Sequence, residues 1–423
     1  MPNILPFKGL RYNLEEKDLT LLVCPPYDVI TPEEKYQLEN RSDYNAVRLE
    51  LPGVEEDDYT RANDLFLGWI NKGVIAQDQK SCLYLTKHEF PVNNKIISRL
   101  AIYAVLELES LNSGIVLPHE ETRSGPKIDR LKLMESTKVN LSPIMMLYRD
   151  QEYEVSNIIN NIAQTTETIM AEISSQEKVY MWVIEDEDII QQITKGIGKL
   201  PLLIADGHHR YETALTYRDQ HIDENENGNK FIMVNCIDIQ DPGLCLLPYH
   251  RGLQSLTVED VNTLEKSLAE YFQEIPLPQS LIEENDPYQF ERLVSQYDFP
   301  SMVYINRVNN NIKLFKVRQN IDLANVETDL DPNLFVRCEG WVLYEGVFKS
   351  CFSNHIEQKV VYFHDITEAW ENDKIQVLFL VKPFPLDLFE EIVDLGLKLP
   401  PKSTYFHPKV PTGFVYNSLS ENI

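Results

Sequence analysis

The chain has 423 residues, 43% of them hydrophobic and 25% charged, which is length for two or three compact units and the composition of a folded soluble protein. Its 39 Lys plus Arg stand against 66 Asp plus Glu, a formal charge of −27, so its field repels phosphate backbones and anionic lipid and argues against nucleic-acid and membrane-surface partners. In so acidic a chain a local cluster of Lys or Arg points to an anion.

The opening MPNILPFKGLRYN has no basic region followed by an apolar run, and no later stretch reaches about 18 apolar residues. Neither export nor membrane insertion is expected, and a cytoplasmic location is. The cysteines are dispersed, with no CxxC pair, which fits reduced thiols and neither a zinc ribbon nor a disulfide framework.

In chain order, LTLLVCPPYDVI is an apolar run ending in a double-proline turn. TPEEKYQLEN then starts a helix, with Thr31 as N-cap, Pro32 at the first helical position and Glu34 completing a capping box. YTRANDLFLGWINKGVI carries Ala62, Leu65, Phe66, Trp69 and Ile70 on one helical stripe, ended by Gly73. SCLYLTKHEF and RLAIYAVLELES form a hairpin around Asn93-Asn94. A helical stretch over 152–176 leads into strand KVYMWVIED, helix DEDIIQQITKGIGKL, strand LPLLIAD, helix DGHHRYETALTYRDQH and strand NKFIMVNCIDI.

After Leu256 the pattern restarts. VEDVNTLEKSLAEYFQEI reads as a helix and SMVYINRVNNNIKLFKVRQN as a hairpin across an Asn-rich turn. Strand VVYFHD, a short helix, strand IQVLFLVKP, helix PLDLFEEIVDLGLKL and the segment PPKSTYFHPKVPTGFVY follow. The fold class is therefore α/β, with α+β left open, as a layered mixed sheet. A first domain over 1–255 carries the phosphate-binding and catalytic groups, and a smaller α/β domain spans 256–423, its segment 399–413 returning to the site.

Four clusters carry chemistry, and Pro248-Tyr249-His250-Arg251 is a fifth, weaker one. Asp206-Gly207-His208-His209-Arg210 stands where a buried strand gives way to a helix. There Gly207 permits a tight turn, the first helical amides face outward and Arg210 can hold an anion bidentately, while Asp206 serves equally as a helix cap. Pro118-His119-Glu120-Glu121-Thr122 followed by Lys127 and Arg130 offers proton-transfer groups, metal ligands and phosphate-neutralising cations, or else an ion-paired surface. Cys24-Pro25-Pro26-Tyr27-Asp28 holds a carboxylate on a stiff turn. Lys402, Ser403, Thr404, His407 and Lys409 lie between prolines, without the glycines of a Walker loop. GxGxxG, GxSxG and HExxH are all missing, which removes the commonest dinucleotide, hydrolase-fold and zincin readings.

PFKGLRYN, CPPYDVI, PHEET with DRL, ADGHHRYETAL and PPKSTYFHPK, in that order, resemble the domain of unknown function 1015 family of bacteria and archaea. Locally, DGHHR resembles the phosphate-binding turn of the ParB and sulfiredoxin superfamily, which includes free-serine kinases. That likeness implies a phosphate-binding core of that kind, with Gly207, His208, His209 and Arg210 as phosphate contacts, and points to serine or phosphoserine as substrate.

The expectation is a phosphoryl-transfer enzyme, kinase or phosphatase, acting on a small metabolite. Its catalytic candidates are His208, His209, Glu120 and Asp28; Gly207, Arg210, Arg130, Lys402, Ser403, Thr404 and Lys409 are to hold phosphate. Mg²⁺ and ATP or ADP are the expected cofactors, with Asp206 and His119 as metal ligands. The partners are a phosphorylated metabolite or a nucleotide, and a homo-oligomer is left open. The rivals are a non-catalytic nucleotide or metabolite sensor and a metal-dependent hydrolase built on His119, Glu120, Asp206 and His208.

Overall fold

A computed structural model describes every residue except 14–17, 93–94, 121–123, 167–168, 223–226, 322–330, 353–354, 401 and 421–423. The hairpin turn Asn93-Asn94, Glu121 and Thr122, and part of the acidic loop after His221 lie outside the described residues. The chain divides into two compact units: residues 1–245 with 408–423, and residues 246–407. The division falls ten residues before the boundary read from the sequence and returns the final segment to the first unit. Backbone pairing explains both. Leu10 and Tyr416 exchange hydrogen bonds, as do Cys24 and Thr412, whereas His250–Leu253 pairs with Val360–Phe363 and Val377–Leu380 in the sheet of the second unit.

The first unit is mixed α/β. Its main sheet runs Val116–Leu117, Leu202–Asp206, Ile144–Tyr148, Phe231–Asp238, Lys95–Glu107, Leu83–Val92, Glu177–Ile184 and Ile169–Ser174. The pairings of Leu202–Asp206 with Val116–Leu117 and of Phe231–Asp238 with Ile144–Tyr148 are parallel; the other neighbours along this path are antiparallel. Both faces are covered, so the strands read as near-continuous apolar runs. Tyr84, Tyr103 and Val105 pack with Phe66 and Trp69 of the helix Glu56–Asn71. On the opposite face Leu83, Leu85, Ile102 and Ala104 pack with Ile190, Ile193 and Ile197 of the helix Glu187–Ile197 and with Tyr211 of the helix His208–Gln220.

The expected capping box on Pro32–Arg41 is present, Thr31 and Glu34 exchanging hydrogen bonds. The hairpin pairs from Tyr84–Tyr103 out to Val92–Lys95. The stretch 152–176 is not one helix: it is the helix Glu154–Ile162 followed by the strand Ile169–Ser174, which turns back on Glu177–Ile184. IMAEIS buries Ile169 and Ala171 alternately, a period of two that overrides its helix-compatible composition.

The second unit is a six-stranded antiparallel sheet in the order Phe272–Ile275, Asn311–Val317, Ser301–Asn306, Val377–Leu380, His250–Leu253, Val360–Phe363, with an apolar cluster on each face. The sequence VEDVNTLEKSLAEYFQEI is helical only over Val258–Tyr271, because Phe272–Ile275 pairs as the edge strand. A π-helical turn over Val342–Phe348 carries no signal in the sequence.

Candidate functional site

The strand Leu202–Asp206 ends on Asp206, and Gly207 takes φ +98° before the helix His208–Gln220 begins. This is the expected strand-to-helix turn. A Cβ on Gly207 would stand 3.1 Å from both an Arg210 terminal nitrogen and the Ile144 side chain, so the position calls for glycine on grounds of space as well as backbone angle. The first turn of the helix leaves its amides without intrahelical partners, beside the positive end of the macrodipole.

Lys409 arrives from the final segment and joins two carboxylates. Its ammonium donates to Asp28 at 2.9 Å and to Asp206. Burial alone would lower its pKa, but the charges of Asp206 and Asp28 outweigh that and hold it well above the ordinary lysine value. Arg210, 9% exposed, donates from one terminal nitrogen to Asp206 at 2.9 Å and from the other to the Pro143 carbonyl at 2.6 Å. Burial again acts to lower its pKa, and Asp206, Asp28, Tyr27 and Glu50 reverse the effect.

Arg130 extends the cluster. Its guanidinium lies 4.3 Å from the Tyr27 ring centroid, donates to the Glu50 carbonyl at 2.9 Å and pairs with Asp129 at 2.6 Å. Burial raises the Tyr27 hydroxyl's pKa, with Arg210 and Arg130 pulling it down and Asp28 and Glu50 pushing it up; Tyr27 thus lies within reach of both guanidinium groups. Glu50 ends the helical turn Val47–Glu50 and is 1% exposed. One of its oxygens accepts from Ser142 at 3.0 Å, and the other has no hydrogen-bond partner among the described residues. A cavity of about 40 Å³ opens beside it, lined also by Arg130, Arg210, Asn140 and Thr213. That space has room for a few waters.

His119 is 1% exposed; its Nδ1 lies 2.7 Å from the Ile204 carbonyl, and its backbone amide donates to His208 Nε2 at 3.3 Å. The two rings meet edge to face at 4.5 Å. Burial pulls His119 down to about 4, against the Ile204 carbonyl and Asp206, so near pH 7 it is a neutral imidazole and Nδ1 is the donor to that carbonyl. Glu120 and His209 are half-buried beside these two histidines in sequence. Among the described residues no group of three or more His, Cys, Asp or Glu is arranged to hold a metal ion.

Asp28, Asp206, Gly207, Arg210 and Lys409 therefore meet directly, His119 and His208 adjoin them, and Arg130 is linked through Tyr27. Lys402, Ser403 and Thr404 belong to the second unit. There Lys402 lies 5.5 Å from the Tyr249 ring centroid and Ser403 donates to the Pro400 carbonyl at 2.7 Å. Sequence reasoning passed over Tyr27 as a functional group and Glu50 altogether. The available signal for Glu50 was an acid inside the apolar run Ala46-Val47-Arg48-Leu49-Glu50-Leu51, where neighbours on both sides are destined for burial.

Fold and site together define a mixed α/β protein with a partly buried charge network at a helix amino end. The chain belongs to the family described as protein of unknown function (DUF1015), whose profile matches residues 4–331. No curated protein matches it. Among solved structures it is similar to a free serine kinase in complex with AMP, at 15% identity and a TM-score of 0.37 over 74% of this chain and 92% of that one. It is also similar to a C-terminally truncated SbnI from Staphylococcus aureus, at 9% identity and 0.39 over 76% and 90%. A conserved hypothetical protein from Pyrococcus furiosus matches at 13% and 0.34 over 74% and 95%. Among the described residues no helix is long and apolar enough to cross a membrane.

Proposed function

We propose that this protein transfers a phosphoryl group between a nucleotide and a small hydroxyl-bearing metabolite, with serine and phosphoserine the first pair to test. The observation that carries the reading is the meeting of Asp28, Asp206, Arg210 and Lys409 at the amino end of one helix, from positions up to 381 residues apart. Phosphoryl transfer asks for positioning and charge compensation more than covalent participation. A phosphate at the first-turn amides draws on the cations of Lys409 and Arg210, which releases Asp28 from its lysine. In the forward direction the substrate hydroxyl oxygen attacks the terminal phosphorus of ATP, its proton passes to Asp28, and ADP leaves. His208 and His209 remain the alternative proton carriers.

Mg²⁺ is commonly held by one or two carboxylates together with substrate phosphates. Asp206 fits that donor set once Lys409 has turned to the phosphate, and the ion would then offset charge on the transferring group. Lys402, Ser403 and Thr404 take no part in this reading.

The test is the purified chain with ATP and serine, and in a second arm phosphoserine and ADP, followed by phosphorus NMR. Transfer that disappears in Asp28→Asn while nucleotide binding persists supports the proposal. Nucleotide binding without turnover of any hydroxyl substrate replaces it with the sensor reading. Phosphate release from phosphoserine without nucleotide, lost on chelation of a tightly bound metal, replaces it with the hydrolase reading.

A further inference from the structure

The second unit contains a cavity of about 190 Å³ between the helix Val258–Tyr271 and one face of the strands Phe272–Ile275, Asn311–Val317 and Ser301–Asn306. The register builds it. Tyr304 opposes Lys313, and Phe315 stands between Met302 and Glu274, so the two-residue period sends Tyr304, Lys313, Phe315, Glu274 and Phe272 to the same face. Aromatic and charged side chains line it together.

In the lining Glu265 is fixed by two donors: one oxygen accepts from the Tyr304 hydroxyl at 2.9 Å and from Asn306 Nδ2 at 3.3 Å. Its other oxygen has no hydrogen-bond partner among the described residues. Tyr304 is 1% exposed, so this support is part of the core. At another side Arg318 is anchored through Nε, which donates at 3.1 Å to the carbonyls of both Ala269 and Phe272. Its two terminal nitrogens pair with no carboxylate among the described residues. The remaining charges, Lys313 and Glu274, pair with each other at 3.3 Å.

A carboxylate and a guanidinium, each held by its own partners and each with bonding capacity to spare, line one cavity with aromatic walls. We propose that this cavity binds a free α-amino acid with an apolar side chain. The ammonium group pairs with Glu265, the carboxylate with the Arg318 fork, and the side chain lies against Phe272 and Phe315. The size fits, since an apolar cavity of about 150 Å³ holds benzene. Opposite charges at the lining favour a zwitterion over a simple cation or anion, either of which pairs with only one of the two. None of these residues enters the phosphoryl-transfer reading, so the two proposals stand or fall separately.

Titration calorimetry of the full chain with leucine and phenylalanine tests it, alongside isoamylamine and 4-methylpentanoate, which each keep one end of leucine. The expected result is saturable binding of the amino acids, at least roughly tenfold tighter than either one-ended analogue. Glu265→Gln and Arg318→Met each weaken it by roughly tenfold or more; Arg318 is exposed, so its variant keeps the comparison on a folded protein. No binding at millimolar amino acid overturns the proposal. So does equal binding of either analogue, or amino-acid affinity unchanged in both variants.

Discussion

Arg210 does two jobs with one fork, gripping Asp206 and the Pro143 carbonyl with separate terminal nitrogens. A lysine ammonium at the same position reaches one of these in good geometry, not both. Arg210→Lys is therefore expected to lower the melting temperature and to weaken nucleotide binding by about one to two decades, the effect of losing a charge-assisted contact of roughly 1.5 to 3 kcal/mol. Unchanged affinity by calorimetry at fixed salt removes Arg210 from the site. The buried histidines set the acid limb of stability. Burial lowers His119 to about 4 and also lowers His88, which faces Glu177 at 2.8 Å and Arg99, from an ordinary 6.5. Because the unfolded chain takes up these protons first, the contribution of these two histidines to stability is complete above pH 6.5 and falls as pH drops from there toward the folded values. Urea unfolding of His88→Gln together with His119→Gln should show a flatter pH dependence between pH 6.5 and 4 than the parent; an equal slope shows that other groups govern it.

At the scale of elements, the turn between Leu202–Asp206 and His208–Gln220 combines strand ending, positive φ and helix start in a single glycine. Gly207→Ala brings a methyl against Arg210 and Ile144 and places an L side chain in a region that costs about 1–2 kcal/mol. A lower melting temperature, with phosphate or nucleotide binding lost in protein that remains folded by circular dichroism, is the expected outcome; normal binding would mean the arginine fork is not set by this turn. This element was readable in the sequence because LPLLIAD and GHHRYETAL change from continuous apolar to helical spacing at one residue. The strand Ile169–Ser174 and the edge strand Phe272–Ile275 were not, since each comes after a helix within one stretch of helix-compatible sequence and owes its conformation to a partner strand. Likewise Asp28, Arg210 and Lys409 were readable as chemical types, but their pairing was not. Glu50 hides because its role comes from Arg130 and Ser142, 80 and 92 residues away.

For the whole molecule the governing fact is connectivity: the second unit is inserted between Cys245 and Pro408 of the first. A chain ending at His407 loses the Leu10–Tyr416 and Cys24–Thr412 pairings, the acceptor that Pro408 offers buried Arg99 at 2.8 Å, and the ammonium shared by Asp28 and Asp206. Without Lys409 the half-buried Asp206 and the exposed Asp28 lose the cation they share. Residues 1–407 are therefore expected to show a much lower first melting transition and no nucleotide binding; retention of both would show that the closing segment is dispensable. During synthesis the same order of events has a direction. The ribosome makes the strand-turn-helix early, then the whole inserted unit, and delivers Lys409 roughly two hundred residues after Arg210, so a nascent or prematurely stopped chain carries two acidic groups in a site still lacking its lysine. On the proposed function, transfer by the first unit requires translation to have read through the second, and fragments released early are expected to be inactive.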